Sequence, residues 1–279
     1  MQLSMKPLKY LLLFAIVFAS TGCSVVALTG RKQLLLVPET QILAMSAQSY
    51  TEFINQAALS TDKANSEMVQ RVGSRISQAV QTYMQSQGLE AQIADYKWEY
   101  NLVKSQEVNA FCMPGGKIVV YEGILPVTQT ETGLAVVIGH EIAHAVARHG
   151  SERVSQQLML AVGGAVISAF SDKASDDTKA VIELLYGLGG TMGTLKYSRN
   201  REYEADRMGL IFMSMAGYDP NQAAAFWQRM SEGSSSGFEF LSTHPVGANR
   251  VKYIQKCLPE ALGYSGGNSK NVKTIHYIF

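Results

Sequence analysis

The sequence has few cysteines, few histidines and no excess of charge of either sign. It contains 3 cysteines, 5 histidines, 24 lysine and arginine residues, and 23 aspartate and glutamate residues. Three cysteines cannot form a disulfide framework, which excludes a small disulfide-stabilised scaffold. A net charge of +1 provides no basic surface for nucleic acid, so we expect no nucleic-acid partner.

The sequence also lacks an apolar run long enough to cross a membrane. The uncharged runs at residues 11–18 and 158–170 are shorter than the roughly 20 residues that a transmembrane helix needs. Hydrophobic residues nevertheless make up 47% of the chain, and charged residues only 17%. This composition indicates a globular domain with a sizeable core.

Residues 1–22 are typical of a signal peptide, with Lys6 and Lys9, then an apolar run, then small residues before Cys23. The small residues that end at Cys23 resemble the lipobox of bacterial lipoproteins, in which the cysteine carries the lipid. We therefore expect a bacterial cell-envelope protein that faces the periplasm and is anchored, in the outer membrane, by lipid on Cys23. An ordinary cleaved signal with an incidental cysteine is the alternative.

The rest of the chain divides into a lipidated N-terminus and tether (23–37), one folded domain (38–262) and an irregular tail (263–279). Strand-like patterns at residues 96–103 and 117–121 precede a part of the domain that is almost wholly helical. Strands grouped before helices predict an α+β fold, mainly helical, with a small antiparallel sheet.

The most informative motif is His140-Glu141-Ile142-Ala143-His144, within a predicted helix. Histidines four residues apart lie on one helix face and can bind a single metal ion. Glu141 then faces the water that such a metal activates and can take its proton. Two unpaired imidazoles in an apolar helix would be costly to bury, which argues against a purely structural role. The motif predicts one zinc ion per chain and peptide-bond hydrolysis.

A catalytic zinc usually has a third protein ligand and an open position. His149 is interpreted as a solvated residue at the end of the same helix, pointing to a different face. Glu202 and Asp206 are four residues apart and share a face of a later helix. Glu202 is the predicted third ligand, and Asp206 is predicted to accept a hydrogen bond from a ligand imidazole. We expect Glu204 to point away from the face that carries Glu202 and Asp206. The alternative for residues 202–206 is a charged, solvated helix face.

Four separated motifs, at residues 109–116, 140–144, 202–206 and 243–250, together resemble one peptidase family. This family contains HtpX, the CAAX-processing Ste proteases and the mitochondrial OMA protease, and the similarity is greatest to its periplasmic members BepA and LoiP. The resemblance extends over roughly residues 39–258. It implies a zincin-like (gluzincin) metallopeptidase fold for residues 38–262.

The resemblance also implies roles for individual residues. His140, His144 and Glu202 would bind the zinc ion, and Glu141 would be the general base and acid. His244 would lie near the metal, where it could act as a removable fourth ligand. The competing hypothesis gives it a catalytic role, the stabilisation of the oxyanion. On its sequence context alone, His244 could instead be an ordinary residue at a helix start.

Other residues would support the site. Asp206 and Arg250 would surround the metal ligands, while Asn109, Gly115 and Gly116 would border the cleft, where substrate pairs as an added strand. The predicted function is a zinc endopeptidase of the cell envelope that cleaves misfolded or stalled proteins, with proteins or peptides as substrates. The alternative is a chaperone-like or adaptor lipoprotein whose metal site is mostly closed by His244.

Overall fold

The computed structural model describes residues 23–169, 197–232, 238–245 and 248–265. The predicted signal peptide at residues 1–22 and most of the predicted tail, from residue 266 onward, lie outside the described residues. The strands are β1 (Cys23–Val25), β2 (Lys32–Leu34), β3 (Glu99–Val103), β4 (Ala110–Met113) and β5 (Lys117–Tyr121). The helices are α1 (Glu39–Gln56), α2 (Lys63–Ser86), α3 (Leu125–Thr128), α4 (Glu131–Val146), α5 (His149–Ala169), α6 (Arg199–Met215), α7 (Gln222–Glu232), α8 (Glu239–Thr243) and α9 (Ala248–Leu262).

This arrangement confirms the predicted α+β class. Within the described residues the strands form a two-stranded sheet, β1-β2, and a three-stranded sheet in the order β3-β5-β4. The larger sheet is mixed: β4 pairs with β5 in the antiparallel direction, as expected, but β3 is parallel to β5. Strands β4 and β5 form a hairpin, and β3 pairs with the other edge of β5 and runs in the same direction as β5.

The β4–β5 hairpin turns at two glycines with left-handed backbone conformation. The φ angle is +86° at Gly115 and +82° at Gly116, values that glycine adopts without steric cost. A Cβ atom on Gly116 would also lie 2.5 Å from the Trp98 ring. The turn therefore requires glycine at Gly116 both for its conformation and for its packing.

Helix α4 carries the histidine motif through the centre of the core. It begins at a capping residue, since the Thr130 hydroxyl accepts a hydrogen bond from the Gly133 amide at 3.0 Å. All residues from Gly133 to Val146 are buried. The helix ends at Val146, and Arg148, with a φ of +56°, turns the chain into α5. The prediction of one continuous helix through His149 is therefore wrong.

Helices α4 and α6 cross at two glycines with their backbones in contact. A Cβ atom on Gly209 would lie 2.9 Å from both the carbonyl carbon of Gly139 and the amide nitrogen of His140. No side chain separates the helices at this point. The crossing therefore brings the first half of α6, which carries Glu202, next to the histidine face of α4.

The N-terminal hairpin of β1 and β2 packs on the same core. The strands are antiparallel, and Val26 and Leu28, in the connection between them, are buried with the main cluster of apolar side chains. The segment predicted to be a tether thus contains regular structure in contact with the domain. Among the described helices, none has the length and apolarity required to span a membrane.

The close crossing predicts that Gly209→Ala destabilises the protein. Alanine favours helix over glycine by about 1 kcal/mol, but overpacking a core typically costs about 1–3 kcal/mol. Both neighbours of the new Cβ are backbone atoms, so the helices must separate and we expect a net loss. Denaturant unfolding measures it, with Gly150→Ala as the control, because its Cβ would meet only Pro114 at 3.8 Å. Equal stability of the two variants would contradict this account of the crossing.

Candidate metal centre

Four buried side chains from three parts of the chain converge on one point. His140 and His144 come from α4, Glu202 from α6, and His244 from the residue after α8. Each offers one potential ligand atom, and these atoms all lie within 4.8 Å of one another. The structure thus brings together the three predicted ligands and the predicted gate residue.

The distances between these atoms suit a shared cation. The Nε2 atoms of His140 and His144 are 3.1 Å apart, and His244 Nδ1 lies 3.2 Å from His140 Nε2. His244 Nδ1 is also 3.1 Å from a Glu202 carboxylate oxygen. Imidazole nitrogens and a carboxylate are the donors that zinc binds in catalytic sites. The donor set therefore fits zinc.

Glu141 lies beside this cluster with one carboxylate oxygen free to act. Its Oε1 is buried and has no hydrogen-bond partner among the described residues, and the Nε2 atom of His244 lies 3.5 Å from it. Burial raises the pKa of the Glu141 carboxyl above its usual range. Glu141 and His244 line a cavity of about 30 Å³, which has space for a water molecule or two.

Asp206 and Arg250 hold one side of the site. An oxygen of Asp206 lies 3.0 Å from His140 Nδ1, so the carboxylate can accept the ring N–H while Nε2 faces the cluster. Arg250 binds Asp206 through two nitrogens, at 2.6 and 2.8 Å, and its Nη1 lies 2.8 Å from Glu202 Oε2. Arg250 therefore compensates both buried carboxylates, and its guanidinium lies 3.6 Å from the centre of the Trp227 ring.

These charges keep the third predicted ligand ionised. Burial raises the pKa of the Glu202 carboxyl, but His244 and Arg250 lower it by more, so its pKa lies well below its usual range. Burial acts in the opposite sense on a base, and it lowers the pKa of His144. A carboxylate and a neutral imidazole are the forms that bind a metal ion.

The interpretation of His149 as solvated is wrong, and the alternative of a solvated helix face does not hold for Glu204. Both side chains have 0% exposure; His149 Nδ1 lies 2.9 Å from His144 Nδ1, and His149 Nε2 lies 2.9 Å from Glu204. Helical periodicity placed His149 on the wrong face because the helix breaks at Arg148. No sequence signal indicates a left-handed arginine at that position.

Tyr197 is a second residue that the sequence did not indicate. Its ring stacks on His144, with centroids 4.1 Å apart and an interplanar angle of 27°. Its amide donates to the carbonyl of Thr243 at 3.2 Å, one residue before His244. Tyr197 therefore links a candidate ligand to the segment that carries the candidate gate.

The predicted substrate-binding residues lie along the strand beside the site. Strand β4 is the edge of its sheet, and Cys112 and Met113 line the same cavity as Glu141. Asn109 precedes β4, and Gly115 and Gly116 form the turn after it. Both glycine carbonyls already accept backbone hydrogen bonds, from Lys97 and Glu99. Substrate pairing at these residues stays a prediction.

Comparison with known proteins gives a family match and several curated relatives. The profile described as "Peptidase family M48" matches residues 70–258. Mitochondrial metalloendopeptidase OMA1 of Schizosaccharomyces pombe is 41% identical over 61% of this chain and 49% of its own length. Human mitochondrial metalloendopeptidase OMA1 is 30% identical over 90% of this chain and 48% of its own. The β-barrel assembly-enhancing protease of Yersinia pestis is 29% identical over 55% and 33%. The chain thus spans a third to a half of these relatives.

The predicted location in a bacterial outer membrane is wrong. The relatives from two yeasts, a plant and human are all named as mitochondrial proteins. The earlier expectation depended on a few small residues before Cys23, a pattern that short targeting segments of several kinds can contain. The similarity to these four mitochondrial proteins extends over 168 to 262 residues and is therefore the stronger observation.

The double role of Arg250 predicts a large loss of stability in Arg250→Met. Methionine leaves Glu202 and Asp206 buried without a cation, and breaking a buried ion pair in this way typically costs about 3–5 kcal/mol. The free energy of unfolding from denaturant titration measures the loss. Arg71→Met is the matched control, because Arg71 also contacts a carboxylate, that of Glu131, but its side chain is 50% exposed. A similar loss of unfolding free energy in both variants would show that the ion pairs of Arg250 stabilise the protein no more than the exposed ion pair of Arg71.

Proposed function

Since this chain belongs to the M48 peptidase family, we propose that it is an endopeptidase that uses one zinc ion held by His140, His144 and Glu202. The family match over residues 70–258 agrees with the resemblance drawn from the sequence motifs. The observation that carries the proposal is the convergence of two imidazoles and an ionised carboxylate beside Glu141. The substrates are proteins or peptides.

The mechanism follows from the positions of the protein groups. Zinc, when bound, supplies a Lewis acid that polarises the scissile carbonyl and acidifies water. Glu141, whose Oε1 has no hydrogen-bond partner among the described residues, accepts the proton of the attacking water and passes it to the leaving amine. Asp206 orients the His140 ring, and Arg250 keeps the Glu202 carboxylate in place.

The neighbouring sheet edge supports extended substrates. Strand β4 is an edge strand next to the cavity, and an edge strand can pair with a peptide backbone. Asn109, Gly115 and Gly116 would border the bound segment. Folded proteins do not offer such a segment, so the proposed physiological role is quality control, the cleavage of misfolded or stalled proteins.

One observation favours a second candidate, a chaperone-like or adaptor protein that binds such clients and rarely cuts them. His244 lies within 3.2 Å of both His140 and Glu202, where it can take the open position of the metal. His244 also lines the cavity of about 30 Å³ that lies beside Glu141. Turnover of an unfolded protein, abolished by a chelator, distinguishes the peptidase from the adaptor.

The replacement Glu141→Gln tests the peptidase mechanism. Glutamine cannot accept the proton, and general acid–base catalysis typically contributes about 10²–10⁴-fold in rate. We expect a loss of this size in the cleavage of an unfolded protein, with the zinc content unchanged. Metal analysis and gel-based proteolysis measure the two quantities, and Glu67→Gln, an exposed glutamate on α2, is the matched control.

The same metal analysis tests the ligands. His140→Ala, His144→Ala and Glu202→Ala should each lower zinc below one ion per chain, because each variant loses one of the three proposed ligands. Full activity of Glu141→Gln with zinc present, or a full zinc content in all three ligand variants, would rule out this mechanism.

The position of His244 predicts that it gates the site. A neutral imidazole competes with water for an open metal position, so His244→Ala should keep its zinc and show a higher kcat on a short peptide. If His244 instead stabilises the oxyanion, the same variant loses activity, typically by about 10²–10³-fold for one lost donor. Peptide kinetics with parallel zinc analysis separate the two roles. Unchanged kinetics would contradict both and leave His244 as a residue that only precedes a helix.

A further inference from the structure

We propose that the N-terminal hairpin, through Arg31 and Thr29, positions the metal-binding imidazole of His144. This inference rests on the proposed function, because it assumes that His144 is a zinc ligand. It assigns to the segment between β1 and β2 a direct part in the metal site. That segment lies before residue 70, where the family match begins.

A continuous series of side-chain contacts joins the hairpin to the metal site. His144 Nδ1 lies 2.9 Å from His149 Nδ1, and His149 Nε2 lies 2.9 Å from Glu204 Oε2. Arg31 Nε donates to the same Glu204 oxygen at 2.6 Å. The hydroxyl of Thr29 donates to the other oxygen of Glu204. His149 and Glu204, the two residues in the middle of this series, each have a side-chain partner on both sides.

The positions of the ring hydrogens give this series of hydrogen bonds a direction. If His144 binds metal through Nε2, its Nδ1 carries the hydrogen and must donate it. His149 Nδ1 then accepts, so the single hydrogen of a neutral His149 is on Nε2, which donates to Glu204. The Glu204 carboxylate thereby selects the tautomer of His149, and His149 fixes the ring of His144. Arg31 and Thr29 in turn hold Glu204.

The other ligand imidazole has an equivalent support. His140 donates through Nδ1 to Asp206, and Arg250 holds Asp206 through two nitrogens. In both cases a carboxylate lies behind the imidazole and an arginine holds the carboxylate. The difference is that His149 is inserted between His144 and Glu204, which extends the second support as far as the hairpin.

Burial makes Glu204 dependent on the hairpin. Its side chain has 0% exposure, whereas that of Arg31 is 24% exposed. A carboxylate removed from water needs a charged or hydrogen-bonding partner. Besides His149, the partners seen are Arg31 and Thr29, and Arg31 is itself held by Glu152, at 2.9 Å through each of two nitrogens. Loss of the hairpin contacts therefore leaves Glu204 free to reorient, and His149 with it.

The test compares Arg31→Ala and Thr29→Val with Arg201→Ala in the full chain. Arg201 is the matched control, because it also binds Glu152, at 2.9 Å, but is not part of the chain of contacts to His144. The zinc dissociation constant is measured by competition with a chelator, and the visible spectrum of the cobalt-substituted protein reports the ligand geometry. Loss of an outer partner of a metal ligand typically weakens binding about 10–100-fold. We expect a rise of at least about tenfold for Arg31→Ala, a smaller rise for Thr29→Val, and a changed cobalt spectrum in both.

The controls separate positioning from general stability. Arg201→Ala should keep the wild-type zinc affinity and spectrum, and Arg31→Lys, which retains the charge, should recover part of the loss. Thr29→Val, which is isosteric, decides the question if Arg31→Ala does not fold. The inference alone is overturned if Thr29→Val and folded Arg31→Ala keep the wild-type zinc affinity and spectrum. It is also overturned if Arg31→Ala and Arg201→Ala lose zinc affinity equally. A wild-type chain that binds no zinc would instead overturn the proposed function, and this inference with it.

Discussion

The contact between the backbones of α4 and α6 at Gly139 and Gly209 is the constraint on which the site depends. It leaves no space for a side chain between the two helices. At this separation, a histidine on α4 and a glutamate on α6 can reach one common point. A larger residue at either glycine would move the carboxylate of Glu202 away from the imidazoles. The metal centre therefore follows from helix packing as much as from the ligands themselves.

Burial of so many ionisable groups requires compensation, and two arginines provide part of it. Arg250 neutralises Asp206 and Glu202 on one side of the histidine pair. Arg31 neutralises Glu204 on the other side. Buried carboxylates without these cations would be protonated or would destabilise the fold. The arginines thus help to keep the carboxylates of Glu202 and Glu204 ionised, and they tie the N-terminal hairpin and α9 to the same site.

Much of the fold and the centre of the site could be predicted from the sequence because both depend on short-range order. Strand-like patterns at residues 96–103 and 117–121 predicted β3 and β5, and the histidine motif was expected within a helix, which is α4. Residues four apart on a helix share a face whatever the rest of the fold does, so the pairing of His140 with His144, and of Glu202 with Asp206, did not require coordinates. The direction of β3 and the break at Arg148 could not be predicted in this way, because each depends on contacts made elsewhere in the chain.

The sequence by itself determined which residues carry the proposed chemistry: two histidines, an adjacent glutamate and a later pair of carboxylates. Only the tertiary structure decided which other groups surround them. His149 had been interpreted as solvated and Glu204 had been expected only to point away from the metal, yet both are buried behind His144, and Arg31 reaches Glu204 from a segment more than a hundred residues earlier in the chain. Helical periodicity describes a side chain relative to its own helix. The partner that satisfies a buried charge is set by how separate elements pack, and no local pattern contains that information.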